Sequence, residues 1–155
     1  MLLLVLLLLH QELFLHQNDL AVMEDRIYPK LVTACEYSLG RFKAEDIIEN
    51  IKKNIMQLWL AFNDEVLEGL LITEIVQYPQ KRAVRIICLT GIEVDGWQKF
   101  VSVIEEWIPF TKQIESWGKS IGCSMSQIEC PPTWELYLRD FEYKRGHVLL
   151  HKEII

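Results

Sequence analysis

The sequence predicts a single α/β domain with a mixed sheet, in which an antiparallel meander precedes a β-α-β-α-β order and helices cover both faces. A length of 155 residues suits one domain with one sizeable core. Apolar, β-rich runs separated by short polar turns predict the three meander strands, at 56–62, 66–78 and 83–92. Apolar residues at helical spacing predict helices before and after that block, at 19–37, 43–55 and 97–121.

The residues ahead of the meander predict a strand and two helices. Alternation of apolar and polar side chains over 12–17 indicates a short strand, after which Asn18 and Asp19 offer a helix N-cap. The helix that follows should bend near Pro29. The second helix carries its apolar residues on one face, at Ile47, Ile48, Ile51 and Ile55.

The meander and the second half of the chain carry clear turn and breaker signals. The polar residues 63–65 and 78–82 predict turns, and Gly69 inside a strand indicates a β-bulge. In the long helical segment that follows, Pro109 predicts a kink, and Trp107 and Trp117 fall on its apolar face. The remaining pattern predicts a strand at 124–130, a helix at 131–141 and a closing strand at 143–154.

The first nine residues, MLLLVLLLL, form an apolar segment that we separate from a domain comprising 12–155. They lack the basic start and cleavage site of a signal peptide and are too short to span a bilayer. Three interpretations remain: a strand or helix docked on the domain, a segment that buries in a partner, or a poor signal or anchor. We favour assembly through this segment, with self or with other subunits.

Composition and charge exclude some classes of function. The net charge of −6 argues against nucleic-acid binding, which depends mainly on Lys and Arg. The four cysteines lack the close pairs of a zinc or redox motif and predict reduced thiols in a protein that is not secreted. His147 and His151 alternate along the last predicted strand without a third ligand, so we expect no metal site.

Several phrases resemble the GNAT family of N-acetyltransferases, and most closely the small acetyltransferase-like proteins of tailed bacteriophages. They are GRFKAEDI (40–47), MQLWLAF (56–62), TEIVQYPQKRAVRI (73–86), IESWGKSIGC (114–123) and WELYLRDFEYKRGHVLLHKEI (134–154). The resemblance covers most of 38–154 and implies the GNAT fold. It also implies that acetyl-CoA would bind in a V-shaped gap between the strands at 83–92 and 124–130.

The resemblance also implies where a cofactor and a catalytic group would lie. Glu74 is the candidate general base, and Tyr137 is the candidate acid, one residue away from the family's tyrosine register. The pyrophosphate of the cofactor would meet backbone N–H groups at the start of the next helix. The corresponding candidate residues are Leu89, Thr90, Gly91, Gly96 and Trp97.

The phosphate-binding loop departs from the family's pattern. Glu93 and Asp95 stand where the family has cationic and small residues, and carboxylates beside a pyrophosphate would repel it. We therefore expect a degenerate GNAT-like domain without a cofactor, serving as a virion-associated or protein-interaction component of a phage. The expected location is the host cytoplasm or the virion. The alternative is an active N-acyltransferase dependent on acetyl-CoA.

Overall fold

The computed structural model describes residues 4–8, 11–15, 17–36, 38–63, 66–90, 111–130 and 132–154. Within these ranges the strands are β1 (Leu4–Leu8), β2 (Gln11–Leu15), β3 (Met56–Asn63), β4 (Val66–Gln77), β5 (Arg82–Thr90) and β6 (Met125–Ile128). The helices are α1 (Gln17–Glu36), α2 (Ala44–Lys52), α3 (111–120) and the short α4 (Glu135–Leu138). The six strands form one mixed sheet in the order β2-β1-β3-β4-β5-β6, so the predicted fold class is confirmed.

The predicted meander is confirmed, because β3, β4 and β5 pair antiparallel in sequence order. The turn between β4 and β5 is closed by the N–H of Tyr78, which donates to the carbonyl of Lys81 at 2.8 Å. The bulge expected near Gly69 is also present. Ala61 pairs with Gly69 and Phe62 with Leu67, which leaves Glu68 as the extra residue.

One core lies between the sheet and the first two helices. Ile47, Ile48 and Ile51 of α2 are buried there against apolar residues of α1, β3 and β4. Ile55, predicted on the same face, is instead exposed. The reason is that α2 ends at Lys52 and Asn54 takes a left-handed backbone with φ 59°, which turns the chain before Ile55.

The second core lies on the opposite face of the sheet, under α3. Its centre is Trp59, which is 1% exposed. The rings of Trp59 and Trp117 meet edge to face with their centroids 5.3 Å apart. Trp117 therefore contacts the core from α3, as its spacing predicts, although it is only half-buried. The positions of Trp97, Pro109 and Trp107 lie outside the described residues.

The C-terminal predictions need correction. In place of one helix over 131–141, α4 is flanked by 3-10 turns at Pro132–Trp134 and Arg139–Phe141, and Glu142 then takes a left-handed φ of 64°. Residues 143–154 contain no strand. Alternating side chains favour a strand, but a strand forms only where its backbone finds a hydrogen-bonding neighbour.

The N-terminal segment contributes β1, which lies between β2 and β3 and pairs antiparallel with the first and parallel with the second. The separation of 1–11 from the rest of the domain stays a prediction. In the described part of the chain, no helix combines the length and the apolar character needed to cross a bilayer.

Candidate functional site

The strands β5 and β6 diverge partway along their length. They pair in parallel from Ala83 with Met125 to Ile86 with Ile128. The N–H of Glu129 donates one further bond, of 3.0 Å, to the carbonyl of Ile86. Beyond that point β5 continues to Thr90, whereas no described residue pairs with β5 on this side.

Two features of the sequence cause the divergence. Ile72 of β4 pairs with Cys88 and Thr73 pairs with Ile86, so Ile87 is an extra residue that forms a bulge in β5. A bulge bends its strand and increases the local twist. On the other side of the gap, β6 is followed by two prolines, at 131 and 132. Proline has no N–H to extend a ladder, so β6 stops while β5 goes on.

The gap leaves one edge of 87–90 without a paired strand among the described residues. Four residues of a strand span roughly 13 Å at about 3.3 Å per residue. An extended chain that carries amide groups can pair with such an edge, as an added strand would.

A group of charged side chains lies beside the gap. Glu74 and Arg85 are directly paired across β4 and β5. The Nε of Arg85 donates to Oε1 of Glu74 at 2.8 Å, and its Nη2 contacts the same oxygen. The carboxylate predicted as a general base is therefore held in an ion pair between β4 and β5, and β5 is the strand that borders the gap.

Glu129 and Arg41 extend this charged group from the sheet to the loop between α1 and α2. Glu129 lies directly after β6, with Oε1 3.6 Å from Nη1 of Arg85. Its Oε2 accepts a hydrogen bond of 2.8 Å from Nη2 of Arg41. The guanidinium of Arg41 is oriented by a second bond, from Nε to the carbonyl of Ser38 at 2.9 Å. Two carboxylates and two guanidinium groups thus alternate across the end of β6.

The surroundings of Arg85 raise the pKa of its guanidinium. Partial burial lowers the pKa of Arg85, but the hydrogen bonds and negative charge of Glu74, together with the charge of Glu129, outweigh burial and raise it. Arg85 therefore stays positive and holds Glu74 in place. Oε1 of Glu74 is thereby occupied by two contacts with the Arg85 guanidinium.

Cys130 also borders the gap, one residue beyond Glu129. Burial raises the pKa of its thiol, and the nearby charge of Glu135 raises it further. The thiol is thus protonated at neutral pH, which argues against a role as a nucleophile, because the thiolate is the reactive form.

Tyr143 supports β6 from the face opposite the charged group. Its hydroxyl lies 2.6 Å from Oγ of Ser126 in β6, and it donates to Oε1 of Glu115 in α3 at 2.9 Å. Burial raises the pKa of Tyr143, the bond to Ser126 opposes the rise, and Glu115 adds to it. The phenol stays neutral and joins β6 to α3.

The structure brings some of the predicted site residues together. Glu74 lies beside the gap, and Leu89 and Thr90 belong to the open edge of β5. Gly91, Gly96 and Trp97 lie outside the described residues, as does the side chain of Tyr137. The roles assigned to all of these residues stay predictions. Within the described ranges, no cluster of three His, Cys, Asp or Glu is arranged to hold a metal.

The sequence interpretation missed Arg41, Arg85 and Glu129 as neighbours of Glu74. Only the Glu74–Arg85 contact had a usable signal, because opposite charges at matching positions of a predicted hairpin indicate a cross-strand pair. Arg41 and Glu129 are 88 positions apart. Their contact depends on where the α1–α2 loop packs, which no local pattern reveals.

Comparisons with known proteins bear on the fold. No protein-family model matches the chain, and no curated protein matches its sequence. Solved structures do match it. A probable acetyltransferase is 14% identical with a TM-score of 0.59, over 85% of this chain and 95% of that one. A transcriptional regulator from Bacillus halodurans is 16% identical with a TM-score of 0.60, over 90% and 96%.

A third similar structure is an aminoglycoside acetyltransferase from an uncultured soil metagenomic sample, in complex with sisomicin. It is 16% identical with a TM-score of 0.58, over 91% of this chain and 93% of that one. Identities this low establish the architecture and leave the reaction open. With its meander and its diverging β5 and β6, the chain has the GNAT fold that acetyltransferases share.

Proposed function

We propose that the protein is an acyl-CoA-dependent N-acyltransferase whose cofactor lies along the open edge of β5. The observation that carries this proposal is the divergence of β5 and β6 after Ile86, which leaves 87–90 free to pair with an extended amide-containing ligand. The similar structures named as acetyltransferases support the same class of reaction by analogy of fold. The acceptor is then a primary amine.

The chemistry supplied by bound acyl-CoA is a thioester that an amine can attack. The charged group beside the gap is placed to bind that amine. Glu74 and Glu129 offer carboxylate oxygens to an ammonium group, and Arg85 holds both carboxylates in position. In this proposal Glu74 accepts the proton that the amine loses, once the incoming amine has displaced part of its contact with Arg85. The amine nitrogen would form the amide bond as the C–S bond of the thioester breaks, and the thiolate of CoA would leave and take up a proton from solvent.

A second candidate function is the one that the sequence favours. It is a degenerate GNAT-like domain that binds no acetyl-CoA and acts as a protein-interaction or virion-associated component. The observation behind it is the pair of carboxylates, Glu93 and Asp95, at the predicted phosphate loop. The association with bacteriophage stays a prediction, since the similar structures named above include proteins from a Bacillus and from soil metagenomic DNA.

Titration calorimetry with acetyl-CoA separates the two candidates. The acyltransferase proposal expects saturable binding at micromolar to sub-millimolar affinity and a rise in melting temperature. At a free acetyl-CoA concentration of 100 times Kd, binding would add about 2.7 kcal/mol to the unfolding free energy. Absence of heat and of any thermal shift at millimolar acetyl-CoA would favour the degenerate domain.

A pair of variants locates the binding site. Cys130→Trp introduces a large side chain at the border of the gap and should weaken acetyl-CoA binding at least tenfold. Ser124→Trp adds the same group at the exposed, paired end of β6 and should leave the affinity unchanged. Melting curves of both variants confirm that each remains folded. Equal affinities for the two would place the cofactor elsewhere.

A further inference from the structure

The C-terminal segment, residues 147–154, carries four large apolar side chains that are exposed and belong to neither core of the described residues. Its large apolar side chains keep most of their surface in water: Val148 64%, Leu149 70%, Leu150 86% and Ile154 96%. Exposed apolar groups are common one at a time, but a run of this kind indicates an interaction site. The segment HVLLHKEI is therefore the most conspicuous apolar surface among the described residues.

The segment also has the pattern of a strand. In an extended chain Val148, Leu150 and Ile154 would fall on one side, together with Lys152, and the β-branched Val148 and Ile154 favour a strand. It nevertheless forms no strand in its own chain. A sequence suited to a strand that lacks a partner strand requires an open sheet edge.

Such an edge is present at β6. This strand is the last in the sheet and pairs with β5 on one side. None of the described strands pairs with its other side. Unpaired backbone groups of an edge strand form a ready template for an added strand. β6 has four residues, about 13 Å of strand, whereas eight extended residues reach up to about 28 Å. The segment is long enough to cover the edge.

The start of the segment is fixed next to that edge. Tyr143 is bonded to Ser126 of β6 and to Glu115 of α3. After it come Lys144, Arg145 and Gly146, all exposed, and an added side chain at Gly146 would meet nothing within 4 Å. The chain thus leaves the body of the protein beside β6 with its apolar residues directed into solvent.

We propose that residues 147–154 of one chain pair as a strand with the open edge of β6 in a second copy, which returns its own segment in the same way. Each copy offers both the segment and the edge, so a reciprocal exchange satisfies both and closes with two-fold symmetry. The assembly ends at a dimer because no β6 edge is left open. This proposal does not depend on the acyltransferase activity.

Light scattering on the full chain tests the exchange. The parent should have twice the subunit mass of 18.3 kDa. Leu149→Pro removes a backbone N–H from the pairing segment and should halve that mass. Leu150→Glu, which places a charge on the apolar side, should raise the dimer dissociation constant at least tenfold. Both positions are exposed, so the monomers should melt like folded protein.

Leu136→Lys is the matched control, because it replaces an equally exposed leucine on α4, outside the segment. It should leave the dimer intact. Amide hydrogen exchange of 125–128 shows whether the dimer forms at the edge of β6. These amides should be protected in the parent and exchange faster in Leu149→Pro.

Four results would overturn the proposal. They are a monomeric parent, a Leu149→Pro variant that stays dimeric, an assembly larger than a dimer, and a dimer lost without any change in exchange at 125–128. A monomer with protected 125–128 would mean that the segment closes on its own chain. A dimer retained in Leu149→Pro would mean that another surface, such as the N-terminal segment, holds the copies together.

Discussion

Trp59 is the residue on which the second core depends. It is fully buried, and its indole N–H donates to Oγ1 of Thr73 at 2.9 Å, which in turn donates to Oε1 of Gln57 at 3.0 Å. These two hydrogen bonds link β3 to β4 inside the core, and they give the Thr73 hydroxyl both a donor and an acceptor. Trp117 covers this arrangement from α3.

Substitution of the two tryptophans should have unequal effects. Trp59→Ala should cost about 3–5 kcal/mol, since it removes a fully buried aromatic. The sequence alone predicts the same cost for Trp117→Ala, but half-burial reduces our expectation to about 2 kcal/mol. Urea denaturation of both variants measures the difference. Equal losses would show that Trp117 is buried more deeply than the described contacts indicate.

Gly118 allows α3 to approach β5 closely. A Cβ at this position would lie 2.9 Å from Cγ1 of Val84, a stiff and buried side chain. Alanine favours a helix by up to about 1 kcal/mol over glycine, but forcing the helix off the sheet should cost about 1–3 kcal/mol. Gly118→Ala should therefore lower the melting temperature.

The matched background for Gly118→Ala is Val84→Ala, which removes the methyl that the new Cβ would meet. In that background the alanine at 118 should be harmless or stabilising. A loss of stability from Gly118→Ala that is the same in both backgrounds would mean that the Val84 contact is not the cause.

The buried, hydrogen-bonded hydroxyl of Tyr143 should make the unfolding free energy fall at alkaline pH. Its pKa is raised above the ordinary 10.0 in the folded chain, so the unfolded chain loses this proton first. From about pH 10 upward the unfolded state binds fewer protons, and the unfolding free energy declines as pH rises. Tyr143→Phe should cost about 1 kcal/mol at neutral pH through its lost bonds.

The unfolding free energy of Tyr143→Phe should also fall less steeply than that of the parent between about pH 9.5 and 11, because the proton of Tyr143 no longer contributes while the other tyrosines, the cysteines and the lysines still titrate. Melting temperatures measured across this range, for the parent and for Tyr143→Phe, provide the comparison. Parallel curves would exclude Tyr143 as a source of the alkaline instability.

At the scale of the elements, the sequence predicts best what local patterns determine. Strands β3 to β5, the breaks between them and the apolar face of α2 follow from alternation, turn residues and helical spacing. The predicted burial of Ile55 is wrong because α2 ends before it. That end depends on the left-handed backbone of Asn54, which the periodicity of the sequence does not show. The predicted closing strand at 143–154 is wrong for a different reason. The segment has the pattern of a strand, but a strand also needs a neighbouring strand to pair with, and the local sequence does not show whether one is present.

The candidate site was less predictable for the same reason. The bulge at Ile87 has no glycine or proline to mark it, and it arises from the register between β4 and β5. The contacts of Glu129 with Arg41 and Arg85 join segments that are remote in sequence. The strand pair that forms the gap, in contrast, followed directly from the resemblance to the GNAT family.

The N-terminal segment illustrates a further limit. A continuous apolar run has no period, so it does not distinguish a strand from a helix or an internal segment from an external one. The structure places Leu4–Leu8 between β2 and β3. Removing it would separate β2 from the sheet.

Deletion of residues 1–10 decides between assembly and folding as the role of this segment. If it only mediates assembly, the shortened chain should be a folded monomer. The position of β1 predicts instead a loss of at least about 4 kcal/mol, beyond the usual range for single substitutions. Circular dichroism melting of both chains is the measurement. A cooperative transition at the parent's temperature would contradict the internal position of β1.

At the scale of the whole molecule, the fold combines a rigid meander with a sheet that opens at one point. The meander and its two cores hold β5 straight up to Ile86. The bulge and the prolines then separate β5 from β6, and the charged group from β4, β5 and the α1–α2 loop meets beside the opening. We propose that this opening binds an extended thioester cofactor, with the acceptor amine beside it.

Amide hydrogen exchange of residues 87–90, with and without saturating acetyl-CoA, tests the proposed cofactor site. The amides of 87–90 that do not already pair with β4 should become protected when acetyl-CoA is present. The reference amides are those of 83–86, which lie between β4 and β6 in the paired part of β5 and should change little. Unchanged exchange at 87–90 in the presence of acetyl-CoA would contradict the proposed site.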